Sequence, residues 1–142
     1  MPRITVATDG SARANRAVDI AVNLAKATQS ELVILTVGGN ISGTELRQLA
    51  GMDGDLSKAL KTATNQILSR ARKRALRRGA PDIKLQAVWG DPAEAIIEAV
   101  RRSKTDILVV GRRGRGRLSG LLLGSVSQKL TSLAPCNVMV VP

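Results

Sequence analysis

Asp106-Ile107-Leu108-Val109-Val110 runs straight into Gly111-Arg112-Arg113-Gly114-Arg115-Gly116-Arg117-Leu118-Ser119-Gly120-Leu121-Leu122-Leu123-Gly124-Ser125. An unbroken apolar pentapeptide is the signature of a strand buried on both faces, as in a parallel sheet. The glycines that follow make a loop. Ser125 then opens a helical period with Val126, Leu130 and Leu133 inward, and Pro135 ends it. Strand, loop, helix is the repeating step of an α/β domain.

The same step recurs on both sides. Arg3 to Thr8 and Glu31 to Val37 are short β-branched or apolar strands, and Asn137 to Val141 is a last one. Ile83 to Trp89 alternates, with Ile83, Leu85, Ala87 and Trp89 on one face, which suits an edge. Ser11 caps a helix with Ala14, Ala17, Val18, Ala21, Leu24 and Ala25 inward. Asp55 caps a second, with Leu56, Leu60, Ala63, Ile67 and Ala71 inward and Gly79 as its stop. Asp91-Pro92 opens a third, with Ala93, Ile96, Ile97 and Val100 inward. The order β-α-β-α-β-α-β-α-β predicts one doubly wound domain over residues 1–142. Right-handed crossovers leave few strand orders. The order 3-2-1-4-5, with helices on both faces, puts short strands in the centre and the alternating one at an edge. The one long connection, Gly38 to Gly54, has the length of a functional or mobile loop.

Composition narrows the chemistry. There is no His, Phe or Tyr, and one Trp and one Cys. Histidine-based triads and His–metal sites are excluded, as are an intrachain disulfide and a cysteine zinc site. No apolar run approaches 18 residues, so no span crosses a membrane. Met1-Pro2-Arg3-Ile4 lacks a signal-peptide layout, and the expected location is the cytoplasm. The net charge is +11. It is spread along the chain: residues 1–75 hold 11 basic and 6 acidic side chains, and residues 76–142 hold 11 and 5.

Ligands of such sheets bind beyond the carboxyl ends of the strands, where the winding reverses. That point lies between strands 1 and 4, at Asp9-Gly10-Ser11 and at Gly111 onward. The glycines admit close approach of backbone amides to a phosphate. Gly124-Ser125 adds a helix amino end, and Ser125 and Ser127 add hydroxyls. The segment is neither a GxxxxGK[ST] loop nor a dinucleotide GxGxxG turn. It is either a polyphosphate cradle or a solvated, charged glycine loop. Asp9 either serves ribose hydroxyls or a divalent ion, or is a turn residue that caps the first helix.

Four segments in order resemble the universal stress protein family over nearly the whole chain. Gly111, Gly114, Gly124 and Ser125 meet the pattern Gly-x2-Gly-x9-Gly-(Ser/Thr) of its ATP-binding branch. Val6 to Ser11, Gly90-Asp91-Pro92-Ala93 with Ile96, and Ala134-Pro135-Cys136 before Val138 to Pro142 resemble its first turn, third-helix start and last strand. The resemblance implies the same five-stranded Rossmann-like, adenine nucleotide alpha hydrolase-like fold. It implies a site for ATP or AMP, with Mg²⁺ or Mn²⁺ carried by the nucleotide. Asp9 would be the ribose-side or metal-side carboxylate, and the Val37 backbone would meet adenine. Gly111 and Gly114 would lie at ribose and phosphate, with Gly124, Ser125, Val126 and Ser127 as phosphate donors. It also implies a homodimer through Val138, Met139, Val140 and Val141, a strand with no charge to blunt its edge.

The implied function is a homodimeric nucleotide sensor in the stress response. Nothing beyond Asp9 offers a base or a water-positioning group, so hydrolysis is expected to be slow or absent, a slow ATPase at most. The alternative is sequence-blind binding of nucleic acid or an acidic partner through arginines. Four lie in the glycine loop, Arg112, Arg113, Arg115 and Arg117. Six basic residues lie in Arg70 to Arg78, where they also suit a solvated helix face. The lack of aromatic platforms weighs against single-strand reading. Trp89 is expected to pack at the sheet edge, and Cys136 to be a small buried apolar residue.

Overall fold

Every residue of Glu31–Gly38 (β2) is buried. A strand can bury eight consecutive residues only with neighbours on both sides and helices on both faces. The computed structural model describes residues 2–38, 56–112 and 124–142. It sets β2 between β1 (Arg3–Ala7) and β3 (Ile83–Trp89), with β4 (Ile107–Gly111) and β5 (Asn137–Val141) beyond β1. The pairings are all parallel and the order is β3-β2-β1-β4-β5, as the sequence predicts.

The helices are α1 (Ala12–Thr28), α2 (Leu56–Arg77), α3 (Pro92–Arg102) and α4 (Ser125–Leu133). Val18, Ala21 and Val22 of α1 and Leu68, Ala71 and Ala75 of α2 pack with Ile4, Val6 and Ile34 on one face of the sheet. Ile96 and Val100 of α3 and Leu130 of α4 pack with Leu35, Val37 and Leu108 on the other. With no bulky ring in either core, alanine lets helix backbones lie close to the sheet. Among the described residues no buried side-chain polar atom lacks a partner, and no helix is long and apolar enough to cross a membrane.

Two helices are turned relative to their sequence periods. In α2 the buried residues are Ala59, Ala63, Thr64, Leu68, Ala71 and Ala75, while Leu60 and Ile67 are half-buried. Arg74 lies on the side turned toward α1. Its Nε and Nη2 donate to Asp19 Oδ1 and Oδ2 of α1 at 2.7 and 2.8 Å. In α4 the buried residues are Ser127 and Leu130, and Leu133 faces solvent. There Ser127 Oγ donates to the Gly111 carbonyl at 2.8 Å and draws its own side of the helix inward. On β3, Leu85 and Trp89 are exposed, because this is the sheet edge and α2 lies more over β2 than over β3. The proposed Asp55 cap and most of the Gly38 to Gly54 connection lie outside the described residues.

Charged groups tie the amino edge of the sheet. Arg3 Nε meets Glu31 Oε1 at 2.7 Å, and Lys84 Nζ meets Oε2 at 3.1 Å. Arg3 Nη1 donates to the Ser103 carbonyl, and the Arg3 amide donates to Asp106 Oδ2 at 2.7 Å. Burial alone would raise the Glu31 carboxyl. The hydrogen bonds from Lys84 and Arg3 outweigh it and hold that carboxyl below its ordinary range.

Candidate functional site

The carboxyl edge presents loop ends. At β1, Thr8 stays in the ladder, its amide donating to Leu35 O at 2.9 Å. Thr36 Oγ1 donates to Thr8 O at 2.6 Å, and the Gly10 amide donates to Thr8 Oγ1 at 3.1 Å. Gly10 has φ +81°, a left-handed conformation that a side chain would strain. The Ser11 amide donates to Asp9 Oδ1 at 2.9 Å. Ser11 Oγ in turn accepts from the Ala14 amide at 3.1 Å and caps α1. Asp9 therefore shapes the turn and Ser11 does the capping. The β1–β2 register ends at Ala7 and Leu35, so Asp9 and Val37 each lie two residues beyond it at the carboxyl edge.

At β4 the chain leaves through Gly111 and Arg112 and returns at Gly124. The Arg112 amide donates to Val141 O at 2.7 Å, which prolongs the β4–β5 ladder. The Gly124 amide donates to Arg112 O at 2.9 Å, so the two ends of the glycine-arginine segment are pinned together. Helix α4 starts from that clasp. Gly124 is its N-cap, with no side-chain cap bond and no acidic residue in the first turn. By contrast, α1 is capped by Ser11 and α3 by Asp91, whose side chain accepts from the Glu94 amide. The first amides of α4, at Ser125, Val126 and Ser127, thus point toward the reversal point without a capping side chain. The Ser127 hydroxyl is buried and gives its proton to Gly111 O, which makes it a brace between loop start and helix start.

Asp9, Val37, Gly111, Gly124, Ser125 and Val126 are thus assembled along the carboxyl edge of β2, β1 and β4. Gly114 lies outside the described residues, as do Arg113, Arg115 and Arg117. Sequence reasoning missed the clasp between Arg112 and Gly124 and the threonine pair Thr8–Thr36. Neither has a local signal, since each depends on strands or chain ends far apart in sequence.

The sequence profile of the Universal stress protein family matches residues 1–142. The chain belongs to the universal stress protein family. It is 32% identical to universal stress protein YxiE of Bacillus subtilis over 147 residues, covering 98% of this chain and 97% of the relative. A crystal structure of a universal stress protein in complex with cAMP is 34% identical, covers 99% of this chain and 97% of its own, and has a TM-score of 0.76. Universal stress protein UspA from Lactobacillus plantarum is 26% identical, covers 99% and 97%, and has a TM-score of 0.80. These likenesses run along the whole chain, so the carboxyl edge described above belongs to a universal stress protein fold.

At the opposite, amino end of β4 and β5, Thr105, Asp106, Pro135 and Cys136 line a shallow depression. Burial pushes the Cys136 thiol upward; a backbone hydrogen bond involving Leu108 opposes this and the Asp106 charge adds to it. Cys136 is half-buried rather than buried as its sequence position suggests, and a thiol raised in this way is a poor nucleophile.

Proposed function

We propose that this universal stress protein binds an adenine nucleotide at the carboxyl edge of its sheet and acts by occupancy rather than turnover. The observation that carries the reading is the clasped glycine-arginine segment. Its return point is a helix amino end with no capping side chain, at the reversal between β1 and β4. Amides so placed suit phosphate oxygens. Asp9 and the Val37 backbone stand on the ribose and base side. The cAMP bound to a relative of 34% identity supports an adenine ligand; ATP or AMP is the form proposed here.

A divalent ion fits only as the nucleotide's companion. Among the described residues no three His, Cys, Asp or Glu side chains form a metal-holding group. Asp9 alone, with phosphate oxygens and water, matches the way Mg²⁺ is commonly held. Asp9 would orient the ion, and the ion would screen phosphate charge. The chain has no His, and the candidate set holds a single carboxylate, so slow or absent turnover is the reading proposed.

Calorimetry with ATP and Mg²⁺ tests the proposal on the wild type and on a Gly114→Val, Ser125→Ala double variant. Losing hydrogen bonds to a charged group, about 1.5–3 kcal/mol each, weakens affinity by at least roughly tenfold. Equal affinity in the two proteins would remove the cradle. The protein is also proposed to work in the cytoplasm as a homodimer joined through β5, whose outer edge has no strand partner among the described residues.

A further inference from the structure

The charge that is even along the chain is uneven over the fold. The layer formed by α1, α2 and the following Arg78 carries eleven basic side chains and one acidic one, Asp19, a net +10 out of the chain's +11. The layer on the other face, α3 and α4, carries Arg101, Arg102 and Lys129 against Glu94 and Glu98. Helix α2 has no acidic residue in its 22. The one acid of the layer is already engaged by Arg74 and Arg78. That pairing holds α2 against α1. Arg70, Lys73 and Arg77 recur at i, i+3 and i+7, all exposed, so they form one stripe. Among the described residues none of the three is in an ion pair.

Three features select the partner. Seven of the eleven cations are arginines, whose flat guanidinium pairs two donors with phosphate oxygens. Exposed Asn65, Gln66 and Ser69 lie beside the stripe and are the neutral side-chain types that hydrogen-bond phosphate and sugar oxygens. Neither helix contains an aromatic residue, so the layer has no platform on which to stack unpaired bases and no ring to seat in a lipid interface. The stripe from Arg70 to Arg77 is about 10 Å long, the axial length of roughly three nucleotides on one strand of a duplex.

We propose that the α1–α2 layer docks, without regard to sequence, on the phosphate backbone of a double-stranded nucleic acid, with Arg70, Lys73 and Arg77 as phosphate contacts. The surface is a face of the sheet and is separate from the nucleotide site at its carboxyl edge, so it stands whether or not that site binds ATP.

The test is fluorescence anisotropy of a labelled duplex of roughly 25 base pairs, titrated with whole protein between about 50 and 200 mM salt. Two triple variants remove equal charge: Arg70→Gln, Lys73→Gln, Arg77→Gln on the proposed face, and Arg101→Gln, Arg102→Gln, Lys129→Gln on the other. Thermal melts confirm that both fold. The first is expected to lower the slope of log affinity against log salt by about 2.7, at about 0.9 per phosphate contact, and the second to leave it nearly unchanged. Equal losses would mean that net charge alone is read, and would overturn the proposal. So would no binding by wild type at low salt, binding only to anionic lipid vesicles, or displacement of the duplex by saturating ATP with Mg²⁺, which would place it on the arginine loop.

Discussion

Trp89 and Gly38 show how one residue depends on a partner fifty-one positions away. They are register partners on β3 and β2. A Cβ placed on Gly38 would lie 2.3 Å from the indole ring, so the ring occupies the space over the Gly38 backbone while remaining 50% exposed. Trp89 thus packs at the sheet edge, as its sequence suggests, but against glycine rather than under a helix. Gly38→Ala is expected to displace the indole and cost about 1–3 kcal/mol by overpacking. Because Trp89 is the sole Trp and the chain has no Tyr, its emission maximum reports the displacement directly. An unchanged spectrum with unchanged stability would contradict the packing.

Among elements, the strands were the most legible. Unbroken apolar runs mark β2 and β4, since burial on two faces sets that pattern; alternation placed β3 at the edge, although Leu85, Ala87 and Trp89 of its apolar face are exposed. Helix positions were also legible through Ser11, Asp91-Pro92 and Gly79. Helix rotation was less so. Leu60, Ile67 and Leu133 have the right spacing to face inward, yet they do not lead the packing. The Arg74–Asp19 pair and the Ser127–Gly111 bond accompany the observed rotation, and the partners of each are remote in sequence. At the proposed site, the glycine pattern points to Gly111, Gly124 and Ser125, while the clasp that closes the segment required the folded chain.

Strand β5 carries its own prediction. Its residues Asn137–Val141 include no charge, whereas β3 at the other edge exposes Lys84, paired to Glu31. A neutral, apolar edge is a template for another strand. Met139 is 37% exposed on it, and Leu133, on the helix leading into it, is 62% exposed. Met139→Lys is expected to shift sedimentation from dimer to monomer at micromolar concentration. A wild type that already sediments as a monomer would exclude pairing through β5.

The whole molecule has an acid limit set by two carboxylates. The Arg74 hydrogen bond, opposed by burial and aided by the Arg74 and Arg78 charges, holds the Asp19 carboxyl below its ordinary range. The Glu31 carboxyl is held low by Lys84 and Arg3 against its burial. A carboxyl lower in the folded than in the unfolded state adds stability above its unfolded pKa, and that stability is lost as pH falls through the folded value. With unfolded values of roughly 4, the melting temperature is expected to change little between about pH 7 and 5 and to fall below about pH 4.5. Asp19→Asn should lower the neutral plateau and flatten the acid decline. A decline of the same steepness in that variant would remove Asp19 as a cause.

The alternation of apolar strands and helical periods settled the parallel sheet, because burial on two faces leaves little room for polar residues and short loops leave little choice of crossover. The glycine spacing pointed to where the proposed site lies. Composition settled the absence of imidazole chemistry. What the linear sequence presented as an even charge, the tertiary structure sorted onto one face. The winding runs outward from β1 to β3 and then reverses, and right-handed crossovers in opposite directions place their helices on opposite sides of the sheet. Helices α1 and α2 therefore share a layer, and only their contact decides which arginines Asp19 neutralises and which it leaves to solvent.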